Sequence, residues 1–229
     1  MSLPALILGS VGVLADISDL QRRAFNTAFE EHSLFWHWDE ASYRKLLEVP
    51  GCKARIRYYA MAQGVDVDVD AIHASKMQAL ELAIDDGGIS MRDGILDTIR
   101  GARENGAAVA LATRTPKRLV NLVFHGLRAQ LTRDCFDVIV DGSVVDTAGA
   151  PAGAYHVALA QLGADAQRSV ALEDMPEQCE AALAAGLATY AYPGRISAGR
   201  RFPEGVHVIE PAEAGRLPQF FPPREAASA

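Results

Sequence analysis

The sequence predicts an α/β protein, a doubly wound parallel sheet of Rossmann-like type with an all-helical region inserted after its first strand. Short apolar runs without polar alternation recur at residues 5–8, 107–112, 137–140, 169–172 and 188–192, as expected of strands covered on both faces. Helical patterns at 94–105, 117–125, 152–162 and 176–185 separate the later runs, which gives the rhythm of right-handed crossovers. From residue 18 to residue 87 that rhythm stops.

The interrupting stretch contains no convincing strand. It reads as four helices, at 19–31, 40–48, 53–63 and 70–84. The predicted organisation is therefore a core of residues 1–17 and 88–229, with a four-helix cap of residues 18–87. Such a cap is expected over the carboxyl ends of the strands, the edge where open α/β sheets bind ligands. The tail after Glu210 is rich in Pro and Ala, and residues 224–229 are expected to be mobile.

Composition excludes several classes of function. The chain has 229 residues, 49% of them hydrophobic and 22% charged, an ordinary globular mixture with enough apolar material for a core. A net charge of −7 argues against a nucleic-acid surface, because neutralising phosphates needs clustered Lys and Arg. The nearest thing to a basic run, Arg200-Arg201, is too short to serve. The apolar stretch 5–8 has no basic flank and cannot span a bilayer. Cys52, Cys135 and Cys179 are odd in number and far apart, which favours free thiols in a reducing compartment. A soluble cytoplasmic protein without a membrane partner is the expectation. The six histidines form no ligand set at helical spacing, so they predict no metal site.

Particular residues carry a resemblance. Residues 6–14 followed by Ala15-Asp16, and then Leu20-Gln21-Arg22-Arg23-Ala24-Phe25-Asn26, resemble the opening of haloacid dehalogenase (HAD) phosphatases of the CbbY, phosphoglycolate-phosphatase and β-phosphoglucomutase-like branch. There a strand ends in D-x-D-G-T-L, and a cap helix reads roughly H-R-R-A-F-N. Residues 110–113, ending in Thr113, are similar to the second motif. Glu173-Asp174-Met175-Pro176 and residues 181–187 are similar to the fourth, E-D-S-P followed by A-A-x-A-A-G-[LM]. Gly51-Cys52-Lys53 resembles the G-G-K loop of the cap, and Phe35, Trp36, Trp38 and Tyr43 its aromatic entry.

The resemblance implies a two-step hydrolysis of small phosphomonoesters. One carboxylate attacks phosphorus, a second moves the proton, and a lysine with Mg²⁺ balances the charge. This sequence departs at those positions. The D-x-D slot reads Gly9-Ser10-Val11, so glycine stands for the nucleophile and valine for the acid/base. The third motif, G-K-P-x-P-D, reads Gly149-Ala150-Pro151-Ala152-Gly153-Ala154, so Ala150 stands for the lysine. Removing one partner from a desolvated charge cluster strands the others at several kcal/mol, roughly 3–5 by general experience. Two carboxylates and an ammonium lost together look like a site released from catalysis.

The leading reading is thus a HAD homologue that does not catalyse, acting through a phosphorylated metabolite or through protein partners the sequence does not name. Mg²⁺ binding is expected to be weak or absent, with Asp174, Glu173 and a backbone carbonyl near Val11 as the remaining ligands. Several residues keep two readings open. Thr113 is a phosphate contact or a cap, Arg114 a substitute anion contact or a surface residue, and Lys53 a substrate handle or a solvated lysine. Arg92 is a phosphate contact or structural, and Glu173-Asp174 a metal remnant or the cap of the helix starting at Pro176. Trp36 and Trp38 read as cap packing. Ser10 is expected to aim away from the site, by strand alternation from the nucleophile position. An active Mg²⁺-dependent phosphatase with an unrecognised nucleophile, and an interaction protein with a relic cleft, stay as alternatives.

Overall fold

A computed structural model describes residues 3–145 and 151–209. Gly149 and Ala150, where the third motif was sought, and the tail from Glu210 lie outside the described residues. Six parallel strands make one sheet in the order β3-β2-β1-β4-β5-β6. They are β1 (Ala5–Leu8), β2 (Ala108–Ala112), β3 (Val138–Val140), β4 (Val170–Glu173), β5 (Ala188–Ala191) and β6 (His207–Val208). The first five fall within a residue or two of the apolar runs. The sixth pairs through two exposed residues and leaves no apolar signal.

The helices of the core are α1 (Val11–Leu14), α6 (Ile95–Glu104), α7 (Lys117–Gly126), α8 (Gly142–Val145), α9 (Gly153–Leu162) and α10 (Pro176–Ala184). Those of the insertion are α2 (Ser18–Glu31), α3 (Glu40–Leu46), α4 (Cys52–Gln63) and α5 (Val69–Asp85). The chain divides into two compact units, Met1–Asp16 with Ile89–Ala229, and Ile17–Gly88. No described helix is long and apolar enough to cross a membrane.

In the first unit, α9 lies on β1, β2 and β3, α10 on β4 and β5, and α6 on β1 and β2. Ile7, Ala110 and Ala171 on the strands join Tyr155, Ala158 and Leu159 of α9 and Ala181 and Ala182 of α10 in one buried cluster. Strand alternation leaves Leu6 and Leu8 for the opposite face. The register pairs Leu8 with Leu172, so Gly9 and Glu173 come next on the two strands and share the face of Ile7 and Ala171. That pairing governs the site.

The second unit packs α2 against α5 and fills its interior with rings. Phe25 meets Trp38 at 4.7 Å between centroids, and Phe29 meets the same indole at 4.8 Å. Asn26 fixes Trp38 from both sides, accepting from its amide at 2.8 Å and donating to its carbonyl at 3.0 Å. Trp36 and Trp38 are buried, as packing residues should be.

Candidate functional site

The carboxyl edge of β1, β2 and β4 brings together Gly9-Ser10, Thr113-Arg114 and Glu173-Asp174. β1 stops at Leu8, and its neighbour Gly9 still donates to the Leu172 carbonyl at 3.0 Å. Beyond it the chain turns into α1. Ser10 caps that helix, its hydroxyl accepting from the Val13 amide at 3.3 Å and donating to Asp174 Oδ1 at 2.5 Å. The expectation that Ser10 aims away from the site is therefore corrected. Alternation holds only while the chain is a strand, and the strand has ended two residues earlier.

Glu173 behaves unlike a residue waiting for a cation. Its side chain is fully buried and lies across the Cα of Gly9. A Cβ built on Gly9 would stand 1.3 Å from Glu173 Oε1 and 2.2 Å from its carboxyl carbon. Tyr155 of α9 donates its hydroxyl to Oε1 at 2.5 Å and sits 3.3 Å from the Gln178 carbonyl. Oε2 is buried without a hydrogen-bond partner. Burial pushes the Glu173 acid well above the ordinary carboxylate range, with Asp174 adding to the shift and Tyr155 opposing it. A neutral acid at this position can also give its proton to the tyrosine oxygen, freeing the hydroxyl for Gln178.

Asp174 is buried too. Burial raises its acid, while the Ser10 hydrogen bond and the Arg92 charge work against that rise. A Cβ on Gly12 would lie 2.0 Å from Asp174 Oδ2, so the turn glycine leaves room for this carboxyl. Asp16 accepts from the Arg195 amide at 2.7 Å, which ties it to the backbone.

Of the residues expected to hold phosphate, Arg92 is committed elsewhere. Its guanidinium donates to the carbonyls of Gly12 at 3.1 Å, Tyr192 at 2.8 Å and Pro193 at 2.7 Å, and lies 3.6 Å over the Tyr192 ring. These contacts make Arg92 a clamp on the backbone. Thr113 is buried; its hydroxyl donates to the Thr115 hydroxyl at 2.9 Å and accepts from the Thr115 amide at 3.1 Å, closing a turn. Arg114 is exposed. Within the second unit, Lys53 pairs with Asp70 at 2.6 Å on an open surface. Such an exposed pair contributes little stability.

Two residues escaped the sequence reading. Tyr155 sits in a helix whose apolar positions masked its polar tip. Lys76 is fully buried in the second unit, its ammonium donating to Gln21 Oε1 at 2.9 Å and lying 5.1 Å over the Phe25 ring. Burial lowers its pKa from the ordinary 10.5. Its position was a usable signal, because it stands four residues from both Ile72 and Leu80 on the apolar stripe of α5.

Mg²⁺, implied by the resemblance, does not fit these residues. It asks for near-octahedral oxygen ligands, usually with carboxylates among them. Gly9 has no side-chain oxygen and Val11 is apolar; Glu173 is turned into the Gly9 hollow. Asp174 is left, with one oxygen already taken by Ser10. Among the described residues no group of three or more His, Cys, Asp or Glu could hold a metal ion.

Residues 8–186 match the model of the haloacid dehalogenase-like hydrolases. The chain is 34% identical to the plasmid-encoded protein CbbY of Cupriavidus necator, across 95% of this chain and 90% of that one. It is 32% identical to protein CbbY of Cereibacter sphaeroides, across 93% and 94%. The crystal structure of CbbY from Rhodobacter sphaeroides in complex with phosphate superposes with a TM-score of 0.82 at 31% identity, covering 94% of this chain and 96% of that one. A mutant of the same CbbY in complex with xylulose-(1,5)bisphosphate gives 0.80 at 32% identity, covering 90% and 93%. With a six-stranded parallel sheet, a helical insertion after β1 and this run of similarity, the chain belongs to the haloacid dehalogenase-like hydrolases, in their CbbY-like branch.

Proposed function

We propose that this chain is a catalytically silent relative of the CbbY-type phosphatases, which binds a small phosphorylated metabolite without hydrolysing it. One observation carries the reading. At the position matching the nucleophile there is a glycine, and the space before it is filled by the buried carboxyl of Glu173. Phosphoryl transfer through an aspartyl intermediate needs a carboxylate oxygen free to reach phosphorus. A carboxyl held by Tyr155 and closed off from solvent is a poor substitute.

Binding makes smaller demands than turnover. The α7 and α10 N-termini lie at the carboxyl edge of the sheet, and helix N-termini present backbone N–H groups to anions. Arg114 adds an exposed cation beside Thr113. The ligand class follows from the relatives, since the CbbY of Rhodobacter sphaeroides binds phosphate and, as a mutant, xylulose-(1,5)bisphosphate. A thermal-shift series with inorganic phosphate and sugar bisphosphates tests it, because a ligand of the folded state alone raises the unfolding temperature. A rise without phosphate release supports the reading; no rise with any of them favours an interaction protein with a relic cleft.

The Ser10–Asp174 contact supports a second reading, an active hydrolase with serine as the attacking group. A hydroxyl bonded to a carboxyl is the first half of an activated nucleophile. Phosphate release above buffer, abolished by Ser10→Ala and by Asp174→Asn, would replace the first reading with this one.

A further inference from the structure

We infer that the place of the catalytic cation in this fold has been rebuilt as a metal-free lock, in which Gly9 receives the Glu173 carboxyl and Tyr155 holds it there. The inference rests on packing alone and stands whether or not a phosphorylated metabolite binds.

Three features lead to it. Register comes first. Leu8 pairs with Leu172, so residues 9 and 173 are cross-strand neighbours on one face, and a long side chain at 173 can reach over residue 9. Space comes second. The approach is so close that any Cβ at position 9 collides with the carboxyl, so glycine here makes room for Glu173. Chemistry comes third. Tyr155, rising from α9 inside an otherwise apolar cluster, supplies the hydroxyl that a buried acid requires. The three residues come from the segment just after β1, from β4 and from α9, far apart in the chain, and meet at one point.

The lock and a bound cation exclude each other. Reaching toward a cation would take the Glu173 carboxyl off Tyr155 and leave the Gly9 hollow empty beneath it. An empty hollow loses contacts and adds a cavity term. The loss of the nucleophile is thus built into the packing as well as the chemistry.

Thermal unfolding of the full-length protein with paired substitutions tests the lock. Gly9→Ala should lower the melting temperature by about 5 °C or more, and Tyr155→Phe by about 3–6 °C, on the scale usual for chains of this size. Because the new methyl group already expels Glu173, the double variant Gly9→Ala/Tyr155→Phe should melt close to Gly9→Ala alone. Millimolar MgCl₂ should leave the wild-type melting temperature unchanged. Should Gly9→Ala fail to fold, Gly9→Ala/Glu173→Ala must still fold, since the methyl then has nothing to strike. Additive losses, a harmless Gly9→Ala, an unfolded Gly9→Ala/Glu173→Ala, or a Mg²⁺-dependent rise lost in Asp174→Asn would each overturn the lock. Phosphate release by the wild type would end the silent reading and leave the lock intact.

Discussion

Each of the two units buries an ionisable side chain held by neutral groups, Glu173 in the first and Lys76 in the second, and each handles it differently. Glu173 sits at a sheet edge with a tyrosine hydroxyl as its partner, and burial favours its neutral form. Lys76 sits between helices with an amide oxygen and an aromatic face, and burial lowers its pKa from 10.5. An amide oxygen that accepts and a π-face are surroundings that tolerate the charge of a buried amine. The acid is held by a hydroxyl, the amine by an amide oxygen and a ring.

The largest test of that contrast is Phe25→Ala. It removes the ring beneath Lys76 together with the packing of Trp38, and should cost about 3–5 kcal/mol in denaturant unfolding. A loss below about 1 kcal/mol would mean the second unit does not depend on its ring cluster.

Two pH series sharpen the contrast further. The Glu173 acid is raised in the folded state, so folding takes up a proton once pH exceeds about 4.5. Stability therefore falls as pH climbs through that window and levels off above the folded pKa. Glu173→Gln removes this dependence, and its advantage over wild type should grow by about 1.4 kcal/mol for each pH unit climbed within that window. The Lys76 amine is lowered in the folded state, so the destabilisation is fully present below the folded pKa and fades as pH rises from there toward 10.5. Lys76→Met should accordingly stabilise the protein at pH 7 and lose that advantage in alkali. Slopes of the same sign for both variants would break the comparison. The smallest effect is expected from Ser10→Ala, about 1 kcal/mol, through the loss of one cap and one hydrogen bond to Asp174.

The layout of the fold was readable because it depends on local pattern. The apolar run 5–8 and the helix starting at residue 117 coincide with observed bounds, since burial on both strand faces and helical periodicity leave direct marks on composition. The site was readable only as departures from the motifs it resembles. Gly9 and Val11 stood out against the resemblance, but nothing in them told that the Glu173 carboxyl lies across Gly9, because the meeting of residues 9, 155 and 173 is decided by strand register and helix docking across long separations. Ser10 was misjudged by carrying strand alternation past Leu8. Arg92 kept two readings because a basic residue near a phosphate motif reads the same whether its partners are ligand oxygens or backbone carbonyls.

Arg92 also bears on how the chain tolerates its long excursion. Its amide donates to the Leu14 carbonyl at 2.9 Å, so the outgoing and returning segments of the first unit run side by side. Its guanidinium fastens that crossing to the carbonyls of Gly12, Tyr192 and Pro193. The entropy of closing a loop grows only as the logarithm of its length, and here the ends are fixed by bonds that do not involve the loop. Helices can thus be lengthened, trimmed or exchanged between Ile17 and Gly88 while the sheet keeps its register, leaving the inserted segment free to diverge faster than the scaffold that carries it.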